Sequence, residues 1–223
     1  MRAKRAFDVV VSSIGLVLTS PLWLLAAIAI KATSRGPVFH RAVRVGLHGE
    51  GFTLYKFRSM TLNDRPAATG ITLANDPRIT FVGSVLRLFK IDELPQLINV
   101  LRGDMSLVGP RPEDPRYVAS YSPEQRRLLA IRPGMTSPAS VAYRNEAVLL
   151  KEKTAASEQA GPSENAGHRA EQVYLSEILP AKLALELEYL DQRSFRLDLR
   201  VLWTTLAAVL RPSGPHESGA RRL

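Results

Sequence analysis

Val9-Val10-Val11-Ser12-Ser13-Ile14-Gly15-Leu16-Val17-Leu18-Thr19-Ser20-Pro21-Leu22-Trp23-Leu24-Leu25-Ala26-Ala27-Ile28-Ala29-Ile30 is a run of 22 residues without a charge. As one helix it measures about 33 Å, close to the thickness of a bilayer's apolar core. A cleaved signal peptide has a shorter apolar stretch and a small-residue cleavage site, whereas this run is long and is followed by Lys31. A buried helix of a soluble core is the bland alternative, and a membrane segment is the favoured reading. Arg2, Lys4 and Arg5 precede the run, and Lys31 and Arg35 follow it. Basic residues prefer the cytoplasmic face of a membrane, and here both ends are basic. Pro21 removes a backbone donor and clashes with the preceding turn, which predicts a kink or break in the middle. Residues 1–35 therefore read as a re-entrant membrane helix, broken at Ser20-Pro21, with both ends on one face. A kinked true span is the alternative. The hydroxyls of Thr19 and Ser20 can serve the backbone groups that such a break leaves in hydrocarbon.

Beyond this segment the chain is polar and basic. The formal net charge is +9, which predicts an anionic partner such as a phosphorylated ligand, an anionic membrane surface or a nucleic acid. A basic nucleic-acid-binding protein interleaves aromatics with Lys and Arg on a soluble domain. Aromatics are only 7% here and the uncharged run is out of place, so no nucleic acid is expected. The absence of cysteine excludes a disulfide framework, thiolate zinc sites and a cysteine nucleophile. His40, His48, His168 and His216 lack zinc-ligand spacing, and His40 reads as a strand residue. The length of 223 residues suits one domain with an appendage.

The fold expected from periodicity is mainly α with a small antiparallel β element. Residues 38–45 and 52–57 read as two strands joined through Gly46, Gly49 and Gly51, a turn rather than a nucleotide cradle. Residues 63–77 read as a loop. Val82, Val85, Leu86 and Phe89 recur at helical spacing, and a second helix begins at Leu94-Pro95 and ends at Gly103. Residues 151–167 read as a mobile insertion or solvated helix. Residues 173–179 and 181–190 are helical by pattern, with a break at Pro180. Residues 195–210 form a last helix with Ser194 as N-cap. The catalytic domain is expected over residues 36–211, with interfacial helices, and a disordered tail over 212–223.

Candidate chemistry lies in Leu86-Arg87-Leu88-Phe89-Lys90-Ile91-Asp92-Glu93-Leu94-Pro95-Gln96. Asp92 and Glu93 fall at the junction of two expected helices. An ionised Asp can attack phosphorus and form an acyl phosphate. Both carboxylates can hold Mg²⁺, which takes carboxylate oxygens together with substrate phosphates. From the spacing alone, capping a helix is the commoner role for such a pair. Arg111 is fixed between Pro110 and Pro112, and its planar fork of donors suits phosphate. Lys56, Arg58, Arg78, Arg87 and Arg132 are further candidates for substrate phosphate, each weighed against the ordinary fate of a surface charge.

The resemblance of the chain rests on many short runs taken together. They include Lys4-Arg5-Ala6-Phe7-Asp8, Ser20-Pro21, Gly36-Pro37-Val38-Phe39, Arg44-Val45-Gly46, Tyr55-Lys56-Phe57-Arg58-Ser59-Met60 and Asp76-Pro77-Arg78-Ile79-Thr80. Asp92-Glu93-Leu94-Pro95-Gln96, Asn99-Val100-Leu101 and Asp104-Met105-Ser106-Leu107-Val108-Gly109-Pro110-Arg111-Pro112 follow in order. Arg132-Pro133-Gly134-Met135-Thr136 and Ser194-Phe195-Arg196-Leu197-Asp198 extend the match. With these the chain resembles the monotopic phosphoglycosyl transferases, or polyprenyl-phosphate hexose-1-phosphate transferases, in a minimal catalytic form. The resemblance implies a UDP-sugar donor, a polyprenyl phosphate acceptor such as undecaprenyl phosphate, and Mg²⁺. It implies ping-pong chemistry, with Asp92 as nucleophile and Glu93 as its dyad partner. It also implies membrane lipids as partners and the cytoplasmic face of the inner membrane as location, with a homodimer left open. Ser137-Pro138-Ala139-Ser140 departs from the family, where Gly and a later Gln are common, so donor preference does not carry over. A catalytically silent scaffold of the same fold is the rival, and the retained pair Asp92 and Glu93 argues against it.

Overall fold

The computed structural model describes residues 2–62, 71–74, 76–158 and 166–210. Most of the expected loop at 63–77, the expected tail at 212–223 and part of segment 151–167 lie outside the described residues. The architecture is mainly helical with two small sheets, α+β as expected.

Helix α1 (Arg2–Thr33) is the long apolar helix expected, and the break expected at Ser20-Pro21 is not seen in it. It continues through Pro21 without interruption. Residue 21 has no N–H to offer the carbonyl of Val17, and the Ser20 hydroxyl donates to that carbonyl at 2.8 Å instead. The Thr19 hydroxyl donates to Gly15 O at 2.7 Å. The hydroxyl thus replaces the missing bond within the same turn, and the helix persists. One stripe of α1, through Asp8, Ser12, Ala26 and Ile30, is buried against the rest of the protein. The opposite face leaves Val10, Ile14, Val17, Leu18, Leu24, Leu25 and Ile28 exposed. Only 11% of its most apolar window is buried, unlike the core helix of a soluble protein.

Both ends of α1 are fastened to one body. Lys4 donates to Val108 O and pairs with Asp198, and Asp8 accepts from the Ser106 hydroxyl and the Leu107 N–H. Asp198 also accepts the Tyr189 hydroxyl at 2.6 Å. At the far end, Trp23, Ala26 and Ile30 pack with Phe57 and Leu86.

Strands β1 (Phe39–Val45) and β2 (Gly51–Phe57) form the expected antiparallel hairpin, with His40 opposite Lys56. Helix α2 (Phe81–Leu88) is N-capped by the Thr80 hydroxyl, which accepts from Gly83 N–H. Helix α3 (Gln96–Arg102) ends at Gly103, whose φ of 91° suits a residue without Cβ. A second sheet was not legible in the sequence: β3 (Ser106–Val108) pairs in parallel with β4 (Gly134–Thr136). Gly134 is required there, since a Cβ would lie 2.1 Å from Gly109 N.

The remaining elements build the larger core. They are α4 (Pro115–Val118), α6 (Glu146–Glu158), α7 (Ala166–Val173) and α8 (Leu179–Gln192), while α5 (Pro138–Ala142) precedes α6 and α9 (Phe195–Leu210) packs Val201 into a second cluster with Val100, Met105 and Leu107. The solvated helix expected from residue 151 begins earlier, and α6 buries Leu150 in the cluster with Tyr117, Tyr174, Ile178 and Leu183. The break expected at Pro180 is also corrected. Pro180 sits in the first turn of α8, and a π turn over Tyr174–Ile178 precedes it, wide enough to pass the ring and its missing donor.

Candidate active site

A 3₁₀ turn over Ile91–Glu93 joins α2 to α3 and carries both carboxylates. Lys90 enters it in the left-handed region, φ 56°, a conformation that costs a non-glycine residue about 1 kcal/mol or more. This reversal turns Asp92 inward, so that it is only 7% exposed. Asn99 on α3 locks the turn's frame. Its side chain accepts from Tyr55 N–H at 3.1 Å and donates to Thr53 O at 2.7 Å, holding α3 against β2.

That docking brings Lys56 of β2 to the carboxylates. Lys56 Nζ lies 2.9 Å from Glu93 Oε1, and Arg111 Nη2 lies 2.9 Å from the same oxygen. Burial pushes Glu93 up, but Arg111, Lys56 and Lys90 outweigh it and hold the acid well below the usual range. Burial also pushes the Asp92 carboxyl up, and the charge on Glu93 pushes the same way against Lys56, Lys90 and Arg87. Asp92 Oδ1 and Gln96 Nε2 are buried without a hydrogen-bond partner among the described residues. An unmet buried polar atom costs about 1–3 kcal/mol, and such atoms concentrate at functional sites.

The candidate cations separate into two groups. Lys56 and Arg111 meet Glu93 directly. Arg87 donates to the Ser59 hydroxyl at 2.8 Å and feels the charges of Asp92, Asp76 and Glu93. Arg78 is bound to Asp76 through Nε and Nη2, with Nη2 at 2.6 Å. Arg58 and Arg132 are used elsewhere. The Arg58 guanidinium donates to Ser34 O, Arg35 O and the Ser34 hydroxyl, closing the C-terminal end of α1. Arg132 Nε donates to Gly103 O after α3. Sequence reasoning gave Asn99, Asp8 and Asp198 no structural role and Lys4 only that of a basic flank, although all four stand in the runs quoted above. Nothing in the sequence pointed to Glu186.

Two cations thus meet one acid, Glu93, beside a second, buried acid, Asp92. The sequence model described as bacterial sugar transferase matches residues 1–212. The chain belongs to the bacterial sugar transferase family. It is 37% identical over 214 residues to the uncharacterized sugar transferase EpsL of Bacillus subtilis (strain 168), covering 96% of this chain and 90% of that protein. It is 41% identical over 156 residues to the UDP-glucose:undecaprenyl-phosphate glucose-1-phosphate transferase of Klebsiella pneumoniae, covering 66% of this chain and 33% of that protein. A UDP-N-acetylgalactosamine-undecaprenyl-phosphate N-acetylgalactosaminephosphotransferase of Aeromonas hydrophila is 42% identical over 143 residues, 63% of this chain and 34% of that protein. The match thus spans most of EpsL and about a third of the two phosphotransferases. As a member of this family the protein is membrane-associated, in keeping with α1.

Proposed function

We propose that the protein transfers a sugar 1-phosphate from a UDP-sugar to undecaprenyl phosphate and releases UMP. The observation that carries the reading is the buried Asp92, with an oxygen that has no partner among the described residues, beside a Glu93 fixed by Lys56 and Arg111. In this reading Asp92 attacks the phosphorus bonded to the sugar, and the bond from that phosphorus to UMP breaks. The lipid phosphate then attacks the same phosphorus, the acyl phosphate bond breaks, and Asp92 is regenerated. Lys56, Arg111 and Arg87 hold the diphosphate. Oxygen donors at Asp92 and Glu93 suit Mg²⁺, with substrate phosphates and water completing its shell. Bound there, it would offset charge on the diphosphate. The product is a lipid-linked sugar diphosphate, the first membrane intermediate of a glycoconjugate.

Residues 2–35 are read as lying on one face of the membrane, the cytoplasmic face of the inner membrane. The fastening of both ends of α1 to the body that carries Asp92 and Glu93 supports this. Residues 36–211 form the catalytic domain on that face, with α2 and α9 at the interface.

UMP release from a panel of UDP-sugars, measured in detergent with Mg²⁺ and undecaprenyl phosphate, tests the reading. Asp92→Asn is expected to lower turnover at least about 10³-fold with an unchanged melting curve, since an amide is no nucleophile here. Near-normal turnover in that variant would remove Asp92 from the chemistry.

A further inference from the structure

Behind the carboxylate pair, α8 carries another buried acid, Glu186, 3% exposed. Its Oε1 accepts the Ser137 hydroxyl at 2.6 Å and the Arg111 backbone N–H at 3.3 Å. These donors come from the two loops that leave the same end of the parallel pair: residues 109–111 follow β3, and Ser137 follows β4. The loops are already laced together, with Gly109 N–H donating to Thr136 O and Gly134 N–H to Pro110 O. Glu186 adds a strap from a third element. Its Oε2 has no partner among the described residues, and the acid lines a cavity of about 20 Å³ with Arg111, Glu113, Tyr121 and Lys182.

Pro110 and Pro112 have no N–H, so Arg111 supplies the single backbone donor of Pro110-Arg111-Pro112. Glu186 takes that donor. Burying a carboxylate carries a desolvation cost that a leucine of similar volume would avoid. What the acid provides is a fixed acceptor at the root of the Arg111 side chain. The tip of that side chain reaches Glu93 Oε1.

We propose that Glu186 is a positioning residue for phosphosugar transfer, clasping the Arg111 backbone and the Ser137 hydroxyl so that the Arg111 guanidinium is presented to Glu93 and to the donor's diphosphate. This rests on the transferase reading above. Glu186 touches no reacting atom and acts through Arg111.

The test compares Glu186→Leu with Glu186→Gln in the full chain, because Leu keeps volume alone and Gln also keeps the acceptor oxygen. UMP release, melting in detergent and amide exchange of residues 109–114 are measured for each. Glu186→Leu is expected to lower kcat about tenfold or more and to speed exchange of the Arg111 amide. Glu186→Gln is expected within about threefold of wild type, with slow exchange. In an Arg111→Ala background, Glu186→Leu should cost less than about twofold further, because its effect passes through the missing side chain. Unchanged kcat in Glu186→Leu, or the same loss with and without Arg111, overturns the proposal. A wild-type chain that releases no UMP from any donor overturns the transferase reading and this proposal with it. An active wild type with an unimpaired Leu variant overturns this proposal alone.

Discussion

Arg58 is buried and Arg111 half-buried, yet the first closes the end of a helix and the second reaches Glu93. Arg58 spends its donors on Ser34 and Arg35, the last carbonyls around α1. Charged hydrogen bonds of this kind contribute about 1.5–3 kcal/mol each when buried. Arg58→Met is therefore expected to lower stability by about 2–3 kcal/mol while leaving the KM for donor within about twofold. Melting curves and steady-state kinetics on one preparation separate the two roles. A raised KM with an unshifted melting curve would return Arg58 to the phosphate site.

Glu186 gives a second prediction at this scale. Burial pushes it up to about 7, from an ordinary value of 4.5, against the Ser137 hydroxyl, the Arg111 N–H and the charge of Lys182, while Glu113 pushes it further up. Its folded pKa is raised, so between those values the native state holds the extra proton. Stability then falls as pH rises through that window, by up to about 3 kcal/mol. Glu186→Gln cannot titrate. Its stability relative to wild type should therefore grow between roughly pH 5 and roughly pH 8. Chemical denaturation at the two pH values checks this, and a constant difference would mean that Glu186 titrates as an ordinary carboxylate.

Among the elements, α1 shows how a proline can sit in a long helix without ending it. Ser20→Ala removes the donor that serves Val17 O and should cost about 0.5–2 kcal/mol. In a Pro21→Ala background, the amide of residue 21 is restored and the same change should cost close to nothing. Equal costs in both backgrounds would show that the hydroxyl does not substitute for the amide. The proline and its polar neighbours were legible in the sequence, but the outcome was not. Periodicity and proline chemistry predict a weakened turn, and only the serine rotamer decides whether the turn is repaired. The same limit explains the elements at residues 106–108 and 134–136. Each strand is three residues long, too short for an alternation to register, and their pairing is non-local. The hairpin, α2, α3 and the carboxylate junction were legible because each has a local signature: alternating apolar residues, a helical repeat, a capping proline and a terminal glycine. Lys56 and Arg111 were legible as cations and found their partner in the fold. Glu186 had no signature, since its role depends on two loops that are distant in sequence.

At the scale of the whole molecule, the exposed apolar surface has a pattern that a soluble monomer seldom carries. Helix α9 shows Phe195, Leu199, Trp203, Leu206 and Leu210 along one stripe, with Trp203 71% exposed. Its other side buries Asp198 and Val201. Helix α2 exposes Phe81, Val85 and Leu88, and α1 exposes its outer face. Phe7 and Phe195 meet edge to face at 5.3 Å, which joins the start of α1 to the start of α9. If α9 lies in the headgroup region beside α1, its tryptophan must sit among acyl chains near the surface, where aromatic residues concentrate. The other tryptophan, Trp23, packs against Phe39 and Phe57 within the protein. In a Trp23→Phe background, emission from Trp203 is therefore expected to be quenched several-fold in bilayers of lipid brominated near the headgroup, and less by lipid brominated at the chain end. Quenching that is absent at both depths would place this stripe against water or another protein, and α9 would then be a docking face in place of a membrane anchor.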